Sequence, residues 1–222
     1  MKRNHFSTIE TAIEATANGK VLIIVDSEER EDEGDFFIAA EAITPNAVHF
    51  MISEGRGQLC MPLLPELATQ LALEPMISSN RDKDQPRFAI PVDHRSCRSG
   101  ISPHERSLTI RAMIDTKSRP EDFTRPGHVF PLLAEAGGVL SRTGHTEAAV
   151  DLCRLAGLSG AGVICEVCSR DGIGMARRPE LTKIANQFDL HMITIDDLVQ
   201  FRERKSSCQC NWKTSQSLQE CT

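Results

Sequence analysis

The chain has 222 residues, 40% hydrophobic and 25% charged, with a formal net charge of −6. This is an ordinary globular composition, long enough to bury a core without disulfides or a structural metal. The acidic balance excludes a broad nucleic-acid-binding face, and no stretch reaches the roughly 20 apolar residues of a membrane span.

Met1-Lys2-Arg3-Asn4-His5-Phe6-Ser7 is basic but has no apolar run behind it, so a secretory signal is not expected and a cytoplasmic location is. Ser7-Thr8-Ile9-Glu10 has the capping-box pattern and predicts a helix ending near Gly19. Val21 to Val25 is short, apolar and β-branched, as a buried strand is. Phe36 to Ala40 is expected beside it, with the charged run 26–35 as connecting loop. Thr44-Pro45 supplies an N-cap and first-turn proline for a helix through Ser53. Gly55-Arg56-Gly57 breaks the chain before a strand over 58–63, and a helix over 65–72 follows.

Residues 76–87 are polar and irregular, and a strand is expected over 88–92. Ser102-Pro103-His104-Glu105 is a second capping box, opening a helix with Leu108, Ile110, Met113 and Ile114 on its apolar face. A loop containing Arg125-Pro126-Gly127-His128 leads into a strand over 129–132. A helix from Gly144 to Gly157, a strand over 163–167, a helix over 179–188 and a strand over 192–195 complete the pattern. Interleaved strands and helices without a flexible linker predict an α/β (α+β) fold: a single domain over 1–203, with a mixed β-sheet packed against helices. Residues 204–222 are expected to form a polar, mobile tail.

The chain contains eight cysteines. Cys165-Glu166-Val167-Cys168 has the spacing of half a zinc site, with Cys208-Gln209-Cys210 as the only candidate remainder, but the spacings fit no common ligand pattern. Cys60, Cys153, Cys165 and Cys168 sit among apolar residues and read as small core side chains. Cys208, Cys210 and Cys221 read as free thiols of the tail.

Asp26, Glu28, Glu29, Glu31, Asp32, Glu33 and Asp35 crowd one connection. Such a run is either a solvated acidic loop or, held between two strands, a set of carboxylates aimed into one cleft for a hard cation and proton transfer. Gly144-His145-Thr146-Glu147 opens a helix, whose free N–H groups and dipole suit a phosphate, and Arg142 upstream adds a bidentate cation. His145 there is a metal ligand, a cap or a surface residue. Glu166 inside the apolar run 162–167 is costly to bury unless paired or at an exposed strand end. Arg56 is an anion contact or a surface turn residue.

Arg30-Glu31-Asp32-Glu33-Gly34-Asp35, Arg125-Pro126-Gly127-His128-Val129-Phe130-Pro131 and Gly144-His145-Thr146-Glu147-Ala148, followed by Ala161-Gly162-Val163-Ile164-Cys165-Glu166 and Gly174-Met175-Ala176-Arg177, occur in one order. From Ile9 to Arg202 the chain resembles the 3,4-dihydroxy-2-butanone 4-phosphate synthase family of riboflavin biosynthesis. The resemblance implies a lyase converting D-ribulose 5-phosphate to L-3,4-dihydroxy-2-butanone 4-phosphate and formate. It implies a divalent metal, usually magnesium with manganese as the alternative, held by Glu31 and His145. Arg30, Glu31, Asp35, Arg142, Thr143, Gly144, His145, Thr146 and Glu166 would contact the sugar phosphate, and His128 and Glu166 would be the catalytic pair. It further implies a homodimer with shared active sites. Bifunctional relatives continue into a GTP cyclohydrolase II domain; residues 203–222 leave no room for one, so a monofunctional form is expected.

The chain departs from the family's pattern at Arg98-Ser99-Gly100-Ile101-Ser102 and Glu105-Arg106, where Thr-Thr-Gly-Ile-Ser and Asp-Arg are usual. Pro86-Arg87 and the longer Asp171-Gly172-Ile173-Gly174-Met175 also depart from it. These departures leave a divergent paralogue acting on another sugar phosphate or ketose, and a non-catalytic metal- or ligand-binding protein, as alternatives.

Overall fold

A computed structural model describes residues 6–77 and 85–205. Helix α1 (Ile9–Ala17) is capped by Thr8, whose hydroxyl accepts the Thr11 N–H at 3.2 Å. The cap expected at Ser7 is therefore one residue late, because the Ser7 hydroxyl instead lies 2.9 Å from the His191 ring. Strands β1 (Leu22–Val25) and β2 (Gly34–Ala39) form an antiparallel hairpin with the acidic run as its connection. The helix expected through Ser53 divides into α2 (Pro45–Phe50), capped by Thr44, and a π-turn over Met51–Gly55.

Strand β3 (Arg56–Leu63) and helix α3 (Pro65–Gln70) lead to a segment where the strand expected over 88–92 is displaced. Phe88 and Ala89 make only isolated bridges, and β4 is Val92–His94. Pro86 and Pro91 have no N–H to give a ladder, which accounts for the shift. Helix α4 (Pro103–Ile114) is capped by Ser102. Strand β5 (Phe123–Leu133) runs through the 125–128 segment expected to be a loop. Arg125 is held there by the Leu71 and Pro120 carbonyls at 2.7 and 3.0 Å, and Arg125–Pro126 is cis.

Helix α5 (His145–Leu155), strand β6 (Gly162–Val167), helix α6 (Arg178–Phe188) and strand β7 (His191–Thr194) follow. A further helix, α7, covers residues 195–205. It was not anticipated, because its apolar positions, including Leu198 and Phe201, are few. Residues 204 and 205, read as the start of the tail, are helical. The rest of that tail with its three cysteines, the 78–84 part of the irregular segment and the first five residues lie outside the described chain.

The seven strands form one mixed sheet in the order β4-β5-β3-β6-β2-β1-β7, with β3–β5 and β1–β7 parallel and the remaining pairs antiparallel. Alternation along the strands divides the core between two faces. Ile23, Val25, Phe36, Ile38 and Val163 pack with α2, α4 and α6. Leu22, Ile24, Phe37 and Ile164 pack with α1, α5 and α7. Each fully buried Phe or Ile contributes about 1.5–3 kcal/mol relative to exposure. Asp151 of α5, fully buried, is ion-paired with Arg202 of α7 and accepts the Val139 N–H at 3.0 Å. No helix among the described residues is long and apolar enough to cross a membrane.

Candidate active site

Part of the acidic connection is built into the fold, while Glu28, Glu29 and Glu31 stay exposed. Asp26, the first residue after β1, is 1% exposed and organises it. Its carboxylate accepts the Glu33 N–H at 2.8 Å and the Glu31 N–H at 3.3 Å, and pairs with Arg30 at 2.8 Å. Arg30 also reaches Glu31 at 2.8 Å. At the start of α6, its N-cap residue Arg177 donates to the Glu31 and Asp32 carbonyls, and Arg178 lies 3.4 Å from the Asp32 carboxylate. Asp32 thus pins the loop from behind rather than projecting into solvent. The Arg177 of the sequence run Gly174–Arg177 gains a structural reason by the same contacts.

His145, the first residue of α5, is buried against this loop. Its ring bonds to the Ile24 carbonyl, and its Nε2 is buried without a hydrogen-bond partner. The bond to Ile24 therefore uses Nδ1–H, which leaves the Nε2 lone pair free, the arrangement of a metal-binding imidazole. Burial lowers the pKa of the ring, opposed most by Asp26, which favours the neutral ligand form. One ligand atom each from Asp26, Glu31 and His145 lies within 4.8 Å of the others. Two carboxylates and one imidazole, with room for water and substrate oxygens, fit a hard divalent cation.

A cleft of about 360 Å³ opens beside this trio. Arg30, Glu31, Glu33, Asp35, Arg142, His145, Thr146 and Glu166 line it with Cys60, Phe88, Leu132 and Ile164. Asp35 and Glu166 are direct partners in the β2–β6 ladder. Burial, then the Glu166 charge, pushes the Asp35 carboxyl well above the usual range. Glu33 is raised by burial and by Glu31. Glu166 sits at the strand's open end, where its Oε2 accepts the Gln58 N–H at 2.7 Å. Gly57 makes room for it: a Cβ there would lie 2.5 Å from both the side-chain Oε2 and the backbone oxygen of Glu166.

The α5 N-terminus presents Thr146 to the cleft and has no side-chain cap at Gly144. Arg142 is fastened to Glu147 at 2.6 Å, and Glu147 also accepts the Glu135 N–H at 3.1 Å. A Cβ at Gly144 would meet the Arg142 guanidinium at 2.3 Å and push it aside. Thr143 is exposed and is not among the lining residues. His128 also stands apart. It shares the sheet face of Phe130, whose register partner Cys60 lines the cleft, but His128 itself does not. Cys165 faces the opposite core, and the five described cysteines are free thiols.

Sequence reasoning passed over Asp26 as organiser and third candidate ligand and Cys60 as a lining residue, and gave Glu147 no part in holding Arg142. Asp26 had a signal: it is the first polar residue after the strand 22–25, where a carboxylate enters the core end of the loop.

A mixed seven-stranded sheet covered on both faces, with carboxylates, an imidazole and arginines converging at the strand ends, defines an α/β enzyme with an anion- and cation-accepting cleft. The family model described as 3,4-dihydroxy-2-butanone 4-phosphate synthase matches residues 10–201, and the chain belongs to that family. It is 53% identical over 197 residues to the riboflavin biosynthesis protein RibBA of Bacillus subtilis (strain 168), covering 89% of this chain and 49% of the relative. The chain thus spans about half the length of the curated relatives it matches. Among solved structures it resembles RibBX, a two-domain 3,4-dihydroxy-2-butanone 4-phosphate synthase from A. baumannii, with 42% identity and TM-score 0.85 over 88% of this chain and 58% of that one. It also resembles a 3,4-dihydroxy-2-butanone 4-phosphate synthase in complex with two magnesium ions, with 38% identity and TM-score 0.85 over 90% of this chain and 99% of that one.

Proposed function

We propose that the chain converts D-ribulose 5-phosphate to L-3,4-dihydroxy-2-butanone 4-phosphate and formate, as a magnesium-dependent synthase acting without a second catalytic domain; manganese is the alternative ion. The observation that carries this reading is the unpartnered His145 Nε2 beside Asp26 and Glu31, in the same cleft as Asp35 and Glu166. The 99% coverage of the magnesium-bound relative supports activity in this domain alone.

In this reading Glu31 and His145 hold the metal, with Asp26 contributing a carboxylate or fixing Glu31. Bound there, the cation polarises the carbonyl and hydroxyl oxygens of a sugar. Arg142, Thr143, Gly144 and Thr146 take the phosphate at the α5 N-terminus, and Arg30 contacts the substrate across the cleft. Asp35, whose protonated form is favoured by burial and by the Glu166 charge, is placed to donate, and Glu166 to accept, as the ketose loses a proton, dehydrates and expels formate. His128 completes the set across a homodimer, which accounts for a catalytic residue on the cleft's own sheet face but outside its lining.

The test is direct. Purified protein with magnesium and D-ribulose 5-phosphate should release formate, and chelation should stop it; no formate at high enzyme would refute the reading. Sedimentation should give a dimer, and mixing inactive Glu166→Gln with inactive His128→Ala subunits should restore activity.

A further inference from the structure

The acidic connection carries its own cation. Nη1 of Arg30 donates to Asp26 Oδ2 at 2.8 Å and to Glu31 Oε2 at 2.8 Å, so one nitrogen bridges two carboxylates. Asp26 is shut away from water and needs such a partner, since a buried charge is costly unless paired. Arg30 is held more loosely. Its side chain is 26% exposed against 1% for Asp26, and it lines the cleft. Its charge also acts on His145.

The bridging nitrogen is thus set among the three candidate ligands Asp26, Glu31 and His145, one ligand atom of each lying within 4.8 Å of the others. A guanidinium nitrogen and a divalent cation cannot share that place, because like charges so close repel strongly where water is scarce. The course of the loop, by contrast, does not depend on Arg30. Asp26 also accepts the Glu33 N–H at 2.8 Å and the Glu31 N–H at 3.3 Å. From the far side Arg177 donates to the Glu31 and Asp32 carbonyls, and Arg178 Nη2 to the Asp26 carbonyl at 3.1 Å. These bonds stay when the Arg30 side chain turns.

We propose that Arg30 and the divalent cation are alternative counter-ions of Asp26 and Glu31, so that entry of the metal turns the guanidinium out into the cleft. The proposal rests on the metal site and the substrate contact of Arg30 given above. Substrate contact by Arg30 is then coupled to metal binding. By linkage, an anion that draws Arg30 into the cleft tightens the metal in turn. A second consequence is that Arg30, although next in sequence to a candidate ligand, weakens the binding of metal alone.

Manganese alone is titrated into the full chain, as parent and as Arg30→Gln, Arg30→Met and Arg30→Lys, with the free ion read by electron paramagnetic resonance and the fold checked by circular dichroism. The dissociation constant should fall by about tenfold or more in the two neutral variants, and stay near the parent's in Arg30→Lys, which keeps the charge. In the parent, a dicarbonyl reagent should label Arg30 faster with manganese than without, as read by peptide mapping; this arm needs no variant to fold. Unchanged or weaker manganese binding in either folded neutral variant overturns the proposal, as does labelling of Arg30 that manganese leaves unchanged or slows. Binding lost in His145→Ala but not tightened in the neutral Arg30 variants would sink the exchange and leave the metal site standing. Manganese bound by neither the parent nor the Arg30 variants would sink both.

Discussion

Asp35 and Glu166 sit directly opposite each other in the β2–β6 ladder, so two carboxylates from different strands enter one cleft a strand spacing apart. Like charges at such a position repel, and Asp35 is also fully enclosed. The pair is a local cost to the fold.

Asp35→Asn should therefore stabilise the metal-free protein while abolishing formate release. A carboxyl whose pKa is raised in the native state binds more protons folded than unfolded, so stability falls as pH rises above the ordinary aspartate range. Removing the group should raise Tm at neutral pH by about 2–4 °C, equivalent to about 1 kcal/mol for a chain of this size. The gain should shrink as pH is lowered toward 4. Calorimetry in chelator across pH checks both; a lower Tm at neutral pH would contradict the assignment.

Magnesium should raise the Tm of the parent by mass action. His145→Ala and Glu31→Gln should each remove that shift. Asp26→Asn should remove it and also lower the metal-free Tm, because Asp26 accepts from Arg30 and from the Glu31 and Glu33 N–H groups. Thermal melts with and without magnesium distinguish the two patterns.

Gly57→Ala tests the close approach of Glu166. The added methyl overlaps Glu166 Oε2 and its backbone oxygen at 2.5 Å, and two strands meet there. Overpacking of this kind costs about 1–3 kcal/mol. Urea denaturation should show a loss in that range, with formate release reduced more than the folded fraction explains.

Glu105 should govern the loop at 98–102. Its carboxyl is lowered to about 2, first by the Arg98 N–H and, against an opposing desolvation, by the Ser99 and Ser102 hydroxyls and the Gly100 N–H. A lowered pKa contributes stability above the unfolded value, lost as pH falls from about 4.5 toward 2. Amide exchange at Arg98 and Gly100 should be slow at neutral pH and faster in Glu105→Ala, with no effect on α5 amides.

Cys60 lines the cleft but is no nucleophile. Burial, then the Glu166 and Asp35 charges, raise its thiol pKa, and burial pushes Cys165 up to about 12. Alkylation of native protein at pH 8 should label Cys168 well before Cys60, Cys153 or Cys165, as read by peptide mapping.

The strands were legible where apolar β-branched residues run unbroken, as in Leu22–Val25 and Gly162–Val167. Helices were legible where Thr44 or Ser102 announces a cap. Phe88–Val92 misled because apolar content persists where Pro91 denies the ladder a donor. The 125–128 segment misled because Pro126 and Gly127 are turn residues by composition, yet they fall in the register break between the Asp93–Thr124 and Val92–Val129 pairs, where a bulge takes both without ending the strand. Glu31 and His145 could be paired only through the family's pattern, since 114 residues separate them. Asp93 carries no local signal, because His128, whose backbone and ring it holds, comes to it only through the β4–β5 pairing.

The two sides of the candidate metal site differ in mechanical character. Helix α5 is fastened at its start by the bond from His145 to the Ile24 carbonyl and in its middle by the ion pair of Asp151 with Arg202. It can neither slide nor roll without breaking one of them. Glu31, by contrast, is half exposed and tethered through Arg30 and its own backbone. An ion held there by His145 and Glu31 would meet a fixed nitrogen and an adaptable oxygen, so accommodation of ionic radius would fall to the carboxylate arm. A cation too large for an octahedral shell would be met by Glu31 swinging outward, with α5 unmoved.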